Sequence, residues 1–294
     1  LGGVESSIIN LMEELAVRGH EVLVRNMCVE PMLHKGVDWG PIHGLKAYEN
    51  IPYEADLYIA NRGHNLIELM PRAKRTVFWV HNPASFLMKW RYLRKLWKVR
   101  PAIIFLGDYH ATTYPKWAPD GGRFVIPYGI PDLFRFADPA SRIPPPRAIF
   151  TSNPLRSLDW LLDQWKYNIQ PKVKGAELHV FSGPMTYGSV GDEKSEAMKK
   201  ILDKARALKN KGVVTRGPVP KSQLIDEFRN ARVFLYKGDI NETFCLAAGE
   251  AQAMGVPGVV GKFGSMSERV IDGKTGYVAE DETSFSRCAC DLLL

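Results

Sequence analysis

At 294 residues the chain is longer than one average domain, and its 45% apolar and 11% aromatic content supplies real cores and excludes disorder. Its formal charge of +7 has one visible source, "KWRYLRKLWKVR" at 89–100, six basic residues with no acidic one, so a basic domain for nucleic acid is not indicated. Four cysteines (Cys28, Cys245, Cys288, Cys290) are too few for a disulfide framework and lack zinc spacing, which points to a reducing, cytoplasmic compartment, and no apolar run reaches the roughly 18 to 20 residues of a membrane span.

The first element is a helix predicted from Ser6 to Arg18, with Ile8, Leu11, Met12 and Leu15 at helical spacing, entered from a Gly-Gly turn and followed by the strand "EVLVRN". No strand precedes the turn, and "CACDLLL" at the other end falls inside a helix-like run, so both ends read as cut. "ADLYIAN", "RTVFWVHN", "AIIFLG" and "RFVIPYG" then have strand length and composition. "FADPASRIPPPRAIF", with Pro139, Pro144, Pro145 and Pro146, cannot lie in a helix interior and marks a domain boundary. Beyond it strands and helices alternate from "RAIFTS" to "PGVVGK". The expected fold class is α/β, two doubly wound Rossmann-like domains facing across a cleft. Their bounds are 1–142 and 147–285, with 286–294 starting a C-terminal helix.

In such sheets ligands bind beyond the carboxyl ends of the strands. That rule selects Gly2, Gly3, His81, Asn82 and Gly129 in the first domain. In the second it selects Ser152 to Arg156, Gly183 and Pro184, Gly217 to Val219, Lys237 to Glu242, and Lys262 to Ser265. The collection is rich in glycine, positive charge and helix N-termini, which suits an anionic ligand.

Within "NETFCLAAGEAQAMG" a helix begins near Thr243, so the N–H groups of Phe244, Cys245 and Leu246 and the helix dipole would favour phosphate. Glu242 precedes that turn and would repel phosphate, so hydroxyl groups are its better partner. Glu250 lies among Ala247, Ala248, Gly249, Ala251 and Ala253, where vicinal hydroxyls could approach and donate two hydrogen bonds to one carboxylate. The bland alternative is a solvated loop glutamate and a surface helix glutamate.

"NETFCLAAGEAQAMGVPGVV" followed by "ERVIDGKTGYVAED" resembles the Glu-x7-Glu signature of the retaining nucleotide-sugar glycosyltransferases of family four, which have the GT-B fold. "GGVE", "LAVRGHEV", "WVHNP" and "VIPYGI" extend the resemblance. It implies transfer of a hexose-type sugar from a UDP- or GDP-type donor to the hydroxyl of a carbohydrate or glycolipid acceptor, with retention. In catalytic roles it places Glu242 on the donor sugar, Arg156 on the diphosphate and His81 beside the transferred sugar. Donor contacts would further include Gly3, Thr243, the amides of Phe244, Cys245 and Leu246, Glu250 on the ribose, and Gly217 and Val219 by the base. The family's Gly-Arg pair is absent from "TSNPLRS", so the grip on the diphosphate would rest on Arg156 unless Lys237 or Lys262, both at strand ends, compensates. Asn82 stands where the family often has Asp.

No Asp-x-Asp motif is seen, so no metal and no cofactor besides the donor is expected. Two rivals remain, a degenerate sugar-nucleotide binder without turnover and an NAD-dependent oxidoreductase. The latter lacks any Gly-x-Gly-x-x-Gly after a strand. The run at 89–100 is open between an interfacial helix meeting anionic membrane through Trp90, Leu93 and Trp97, and a core helix with a solvated basic face.

Overall fold

The computed structural model describes residues 2–44, 51–139, 141–183 and 194–294. The chain packs as two compact units, one of residues 1–79, 87–104 and 118–124, the other of 80–86, 105–117 and 125–294.

In the first unit, helix α1 (Gly3–Val17) starts earlier than the apolar spacing suggests. Gly2 forms an extended cap, Ser6 and Ser7 are buried, and the Ser7 hydroxyl donates to the Gly3 carbonyl at 2.8 Å, so polar residues extend the inner face. Met12, with Ile8, Leu11 and Leu15, packs on β1 (Val22–Asn26). β2 (Met32–His34) and β3 (Val37–Pro41) form an antiparallel hairpin, and β3 pairs in parallel with β1.

β4 (Ala55–Asn61), β5 (Ala73–Trp79), β6 (Ala102–Phe105) and β7 (Arg123–Val125) form a separate sheet in chain order. The single sheet expected here is therefore two, since β1, β3 and β2 form a small sheet of their own. Helix α2 (Trp90–Val99) links β5 to β6 and buries Tyr92, Leu93 and Leu96. The expected stripe of Trp90, Leu93 and Trp97 is split, because Leu93 faces inward and both tryptophans face out.

The second unit contributes two short helices, α3 (Asp108–Thr112) and α4 (Asp132–Arg135), before its sheet. The sheet follows as β8 (Arg147–Phe150), α5 (Leu158–Gln164), β9 (Glu177–Phe181), α6 (Ser195–Ala207), β10 (Val213–Arg216), α7 (Lys221–Arg229), β11 (Val233–Tyr236), α8 (Leu246–Ala253), β12 (Gly258–Gly261), α9 (Met266–Arg269), β13 (Gly276–Ala279) and α10 (Glu282–Leu293). All five pairings are parallel, in the order β10-β9-β8-β11-β12-β13. The winding reverses between β8 and β11, and such a reversal opens a crevice at the carboxyl ends of those two strands.

All four residues of β11 are buried, as a strand covered on both faces requires. Trp165, Phe150, Phe228, Phe234 and Phe285 fill the core. The C-terminal helix begins at Glu282 rather than 286: Asp281 accepts the Ser284 N–H at 2.7 Å, and Ser284 Oγ accepts the Asp281 N–H at 3.1 Å, a capping box. Phe285, Ala289 and Leu293 carry this helix into the core of the unit.

Candidate functional site

Two loops meet at the reversal of the sheet. After β8, Asn153 folds the turn by accepting the Leu155 N–H at 2.8 Å, and Ser157 takes a left-handed φ of 64° while its hydroxyl donates to the Gly238 carbonyl at 2.9 Å. That bond ties the loop after β8 to the loop after β11. It also presents the Arg156 guanidinium, which donates to Glu242 Oε2.

Glu242 is 7% exposed and has three donors. Besides Arg156, the Tyr236 hydroxyl donates to Oε2 at 2.7 Å and the Cys245 N–H donates to Oε1 at 3.2 Å. The next loop closes over its main chain, with the Ser265 N–H donating to the Glu242 carbonyl at 2.9 Å. This crossing requires glycine at 264. Its φ is +57°, and a Cβ there would lie 2.5 Å from the Glu242 carbonyl and 2.6 Å from that of Asp239.

The cap of α8 differs from expectation. Its N-cap is Cys245, in a left-handed conformation at φ 65°, not Thr243. Thr243 is turned away, its hydroxyl donating to the His81 carbonyl at 2.6 Å. Of the three amides expected to be open, that of Cys245 is taken by Glu242. Phe244 is buried, edge-on to Tyr128 at 5.0 Å with the Arg269 guanidinium over its ring at 4.4 Å. Leu246 opens the helix.

Glu250, on the second turn of α8, is 6% exposed and accepts from Lys221 Nζ at 2.6 Å. Burial pushes its carboxyl above the usual range, and Lys221 only partly offsets this. Burial likewise pushes the Cys245 thiol up, with Glu242 and then, more weakly, Glu250 adding to it, so both carboxylates act on one buried sulfur. The small residues around Glu250 are explained by packing: a Cβ on Gly249 would come 2.6 Å from Ile130 Cδ1, and Ala248 and Ala251 are buried.

His81 joins this group through its own chain segment. It is buried, its Nδ1 hydrogen-bonds the Tyr128 hydroxyl, and the two rings stack at 5.7 Å. The next carbonyl, that of Asn82, accepts from His110 Nε2 at 2.9 Å, while His110 Nδ1 accepts the Leu106 N–H at 3.1 Å. These two bonds fix one neutral tautomer. Burial lowers the His110 pKa to about 4, although the bond to Asn82 raises it. For Arg156, burial alone would lower the pKa, but the charge of Glu242 and the hydroxyl of Tyr236 raise it well above its ordinary value.

Other expected residues lie apart from this cluster in their contacts. The Lys237 ammonium sits 4.6 Å over Trp160 and 5.4 Å from the Phe263 ring. Lys262 is exposed and paired with Glu280 at 2.7 Å. Gly217 is exposed with open space beside its Cα, and Val219 packs against the core. Gly3 starts α1 in the first unit.

Sequence reasoning missed Tyr236, Lys221, Tyr128 and His110. Lys221 left one trace, a cation in the first turn of a helix, where the dipole disfavours it.

The model of the family described as glycosyl transferases group 1 matches residues 146–294, half of the chain. The chain belongs to this glycosyltransferase family. Its curated relatives include a lipopolysaccharide 1,2-N-acetylglucosaminetransferase of Salmonella typhimurium, 36% identical over 101 residues, which are 34% of this chain and 26% of the relative. A D-inositol 3-phosphate glycosyltransferase of Streptomyces avermitilis is 34% identical over 140 residues, 47% of this chain and 28% of the relative. The chain thus matches about a quarter of the length of these family members.

Among solved structures, sucrose-phosphate synthase from Thermosynechococcus elongatus superposes with TM-score 0.71 at 15% identity, covering 99% of this chain and 88% of the other. HepE of Anabaena, in complex with UDP and glucose, gives 0.71 at 14%, covering 99% and 86%. These glycosyltransferase-family neighbours, with the parallel sheets and alternating helices, make the fold GT-B.

Proposed function

We propose that the chain transfers a hexose-type sugar from a nucleoside diphosphate sugar to an acceptor hydroxyl, with retention and without a metal. The observation that carries this reading is the pairing at the sheet reversal: a buried carboxylate, Glu242, held by Arg156, with a second buried carboxylate, Glu250, held by Lys221 on the helix that follows.

Each ion pair stands where donor groups would compete. Diphosphate oxygens draw Arg156 from Glu242, and the vacated acceptor position receives a sugar hydroxyl. Ribose hydroxyls similarly compete with Lys221 for Glu250. As the bond from the anomeric carbon to the diphosphate weakens, negative charge grows on the leaving phosphate. Arg156, charged at any working pH, stabilises that charge together with the N-terminus of α8. This positive charge does the work that a metal ion does elsewhere.

His81, oriented by Tyr128, lies beside the transferred sugar. The acceptor hydroxyl approaches on the face the diphosphate leaves, which keeps the anomeric configuration. A UDP donor is favoured by the HepE neighbour, whose complex holds UDP and glucose, and a carbohydrate or glycolipid acceptor by the lipopolysaccharide-directed relative. Four unpaired thiols suit a reducing, cytoplasmic compartment.

The test is a panel of UDP- and GDP-sugars, read by thermal shift and by release of nucleoside diphosphate. One donor should stabilise the protein and be turned over, and Glu242→Gln should lower turnover about 10²–10³-fold while free nucleotide still binds. If no donor stabilises the protein the reading fails, and stabilisation without any release marks a sugar-nucleotide binder instead.

A further inference from the structure

Helix α2 is amphipathic, yet its outward half is not the plain polar surface of a solvated helix. At about 100° per residue, buried Tyr92, Leu93 and Leu96 fall on one side. The opposite side carries, in angular order, Trp97, Trp90, Arg94, Lys98 and Arg91. Trp90 is 71% exposed and Trp97 63%. Two large indoles on one stripe, about 10 Å apart along the axis at 1.5 Å per residue, form an apolar edge that is largely exposed.

The cations beside that edge divide into two groups. Lys95 and Lys98 share Glu68, at 3.5 and 3.2 Å. Arg91 and Arg94 on the outward side, and Lys89 and Arg100 at the two caps of the helix, have no carboxylate within ion-pair distance among the described residues, and Arg91 is steadied by Tyr92, donating to its hydroxyl at 2.7 Å and lying 4.7 Å over its ring. All four are exposed. The first unit therefore presents an indole edge joined to positive charge, at Arg91 and Arg94, that no carboxylate among the described residues compensates.

We propose that this face of α2 docks on an anionic lipid surface. The indoles enter the boundary between headgroups and acyl chains, where an amphipathic ring is most stable, and Arg91 and Arg94 meet lipid phosphates. A lipid surface uses the apolar edge and the charge together. A nucleic acid or anionic glycan would be attracted by the charge, but has no comparable use for two indoles set along a convex edge. The surface is independent of the transferase reading and uses none of the residues around Glu242.

Sedimentation with vesicles tests it. The full chain should pellet with phosphatidylcholine vesicles containing phosphatidylglycerol, should stay in solution with phosphatidylcholine alone, and should be released by high salt. Trp90→Ala with Trp97→Ala, and separately Arg91→Glu with Arg94→Glu, should each reduce the bound fraction at least tenfold at unchanged melting temperature. Because these side chains point to solvent, the fold is expected to tolerate them, and the melting temperature checks this. Absence of pelleting with anionic vesicles overturns the proposal. So does equal pelleting with neutral ones, full binding by the double tryptophan variant, or capture of heparin or RNA with the same residue dependence and no vesicle binding.

Discussion

Glu242 and Glu250 are eight residues apart, equally buried, and each is paired with a cation, yet their surroundings differ. Glu242 sits on a turn with a guanidinium, a phenol and a backbone amide around it, and a glycine crossing locks its main chain. Glu250 sits inside a helix with one flexible lysine as its donor, and burial outweighs that lysine in setting its proton affinity. The first carboxylate is held in a preorganised cage that one ligand group can open. The second is less fully solvated by the protein and gains more from any hydroxyl that reaches it. Preorganisation and affinity are thus divided between two residues of the same short segment.

The largest effect should come from dismantling the cage. Glu242→Gln should lower turnover about 10²–10³-fold, the range for losing a preorganised transition-state contact. Its stability loss should be about 1–3 kcal/mol, moderated because Arg156 is partly in solvent. Steady-state rates beside a denaturant titration check this, and unchanged turnover in a folded variant would break the comparison.

Lys221→Met strands Glu250, which should cost about 1–3 kcal/mol in stability at neutral pH and, by removing the group that ribose hydroxyls must displace, tighten nucleotide binding with little change in turnover. A kcat loss without a Kd change would contradict the division of roles. Tyr236→Phe removes one of three donors to Glu242, an expected loss of about 1 kcal/mol in stability and a several-fold drop in kcat, with nucleotide affinity kept.

The smallest effect is a slope. Because the folded-state pKa of Glu250 is raised, its stabilising contribution is whole below the ordinary carboxylate value of 4.5 and is lost as pH rises through the raised value. Melting curves from pH 4 to 7 should show Glu250→Gln gaining on the native chain as pH increases. Parallel curves would mean that Lys221 compensates the charge fully.

Much of the second unit was legible because its strands are short apolar runs separated by amphipathic helices, and the strand-end rule then located Arg156 and Glu242 without contact information. Their mutual bond was not legible, since 86 residues separate them and each had been assigned to a different part of the ligand. The cap of α8 was misplaced for a local reason. Thr243 is a good capping residue, but its hydroxyl is used by the His81 carbonyl, 162 residues away in sequence, and Cys245 takes a backbone conformation that its residue type does not announce.

In the first unit the hairpin from β2 to β3 went unseen. Its signal was the pair Lys35–Gly36, which adopts positive φ at both positions, as a tight hairpin turn demands. In α2 the period was readable but the direction was not, because Leu93 and the two tryptophans lie within one broad apolar arc and only packing decides which of them turn inward.

His110 gives the second unit an acid-labile joint. Its ring accepts from one chain segment and donates to another, a pairing that only neutral imidazole makes here, and it fastens the residue beside His81. The unfolded chain binds a proton near 6.5 and the folded chain only near about 4, so the joint is whole above about pH 6.5. On acidification toward about pH 4 it loses on the order of 3 kcal/mol. Handling in mildly acidic buffer should therefore loosen the His81 segment well before the rest of the unit, and amide exchange at Leu106 is the place to see it first.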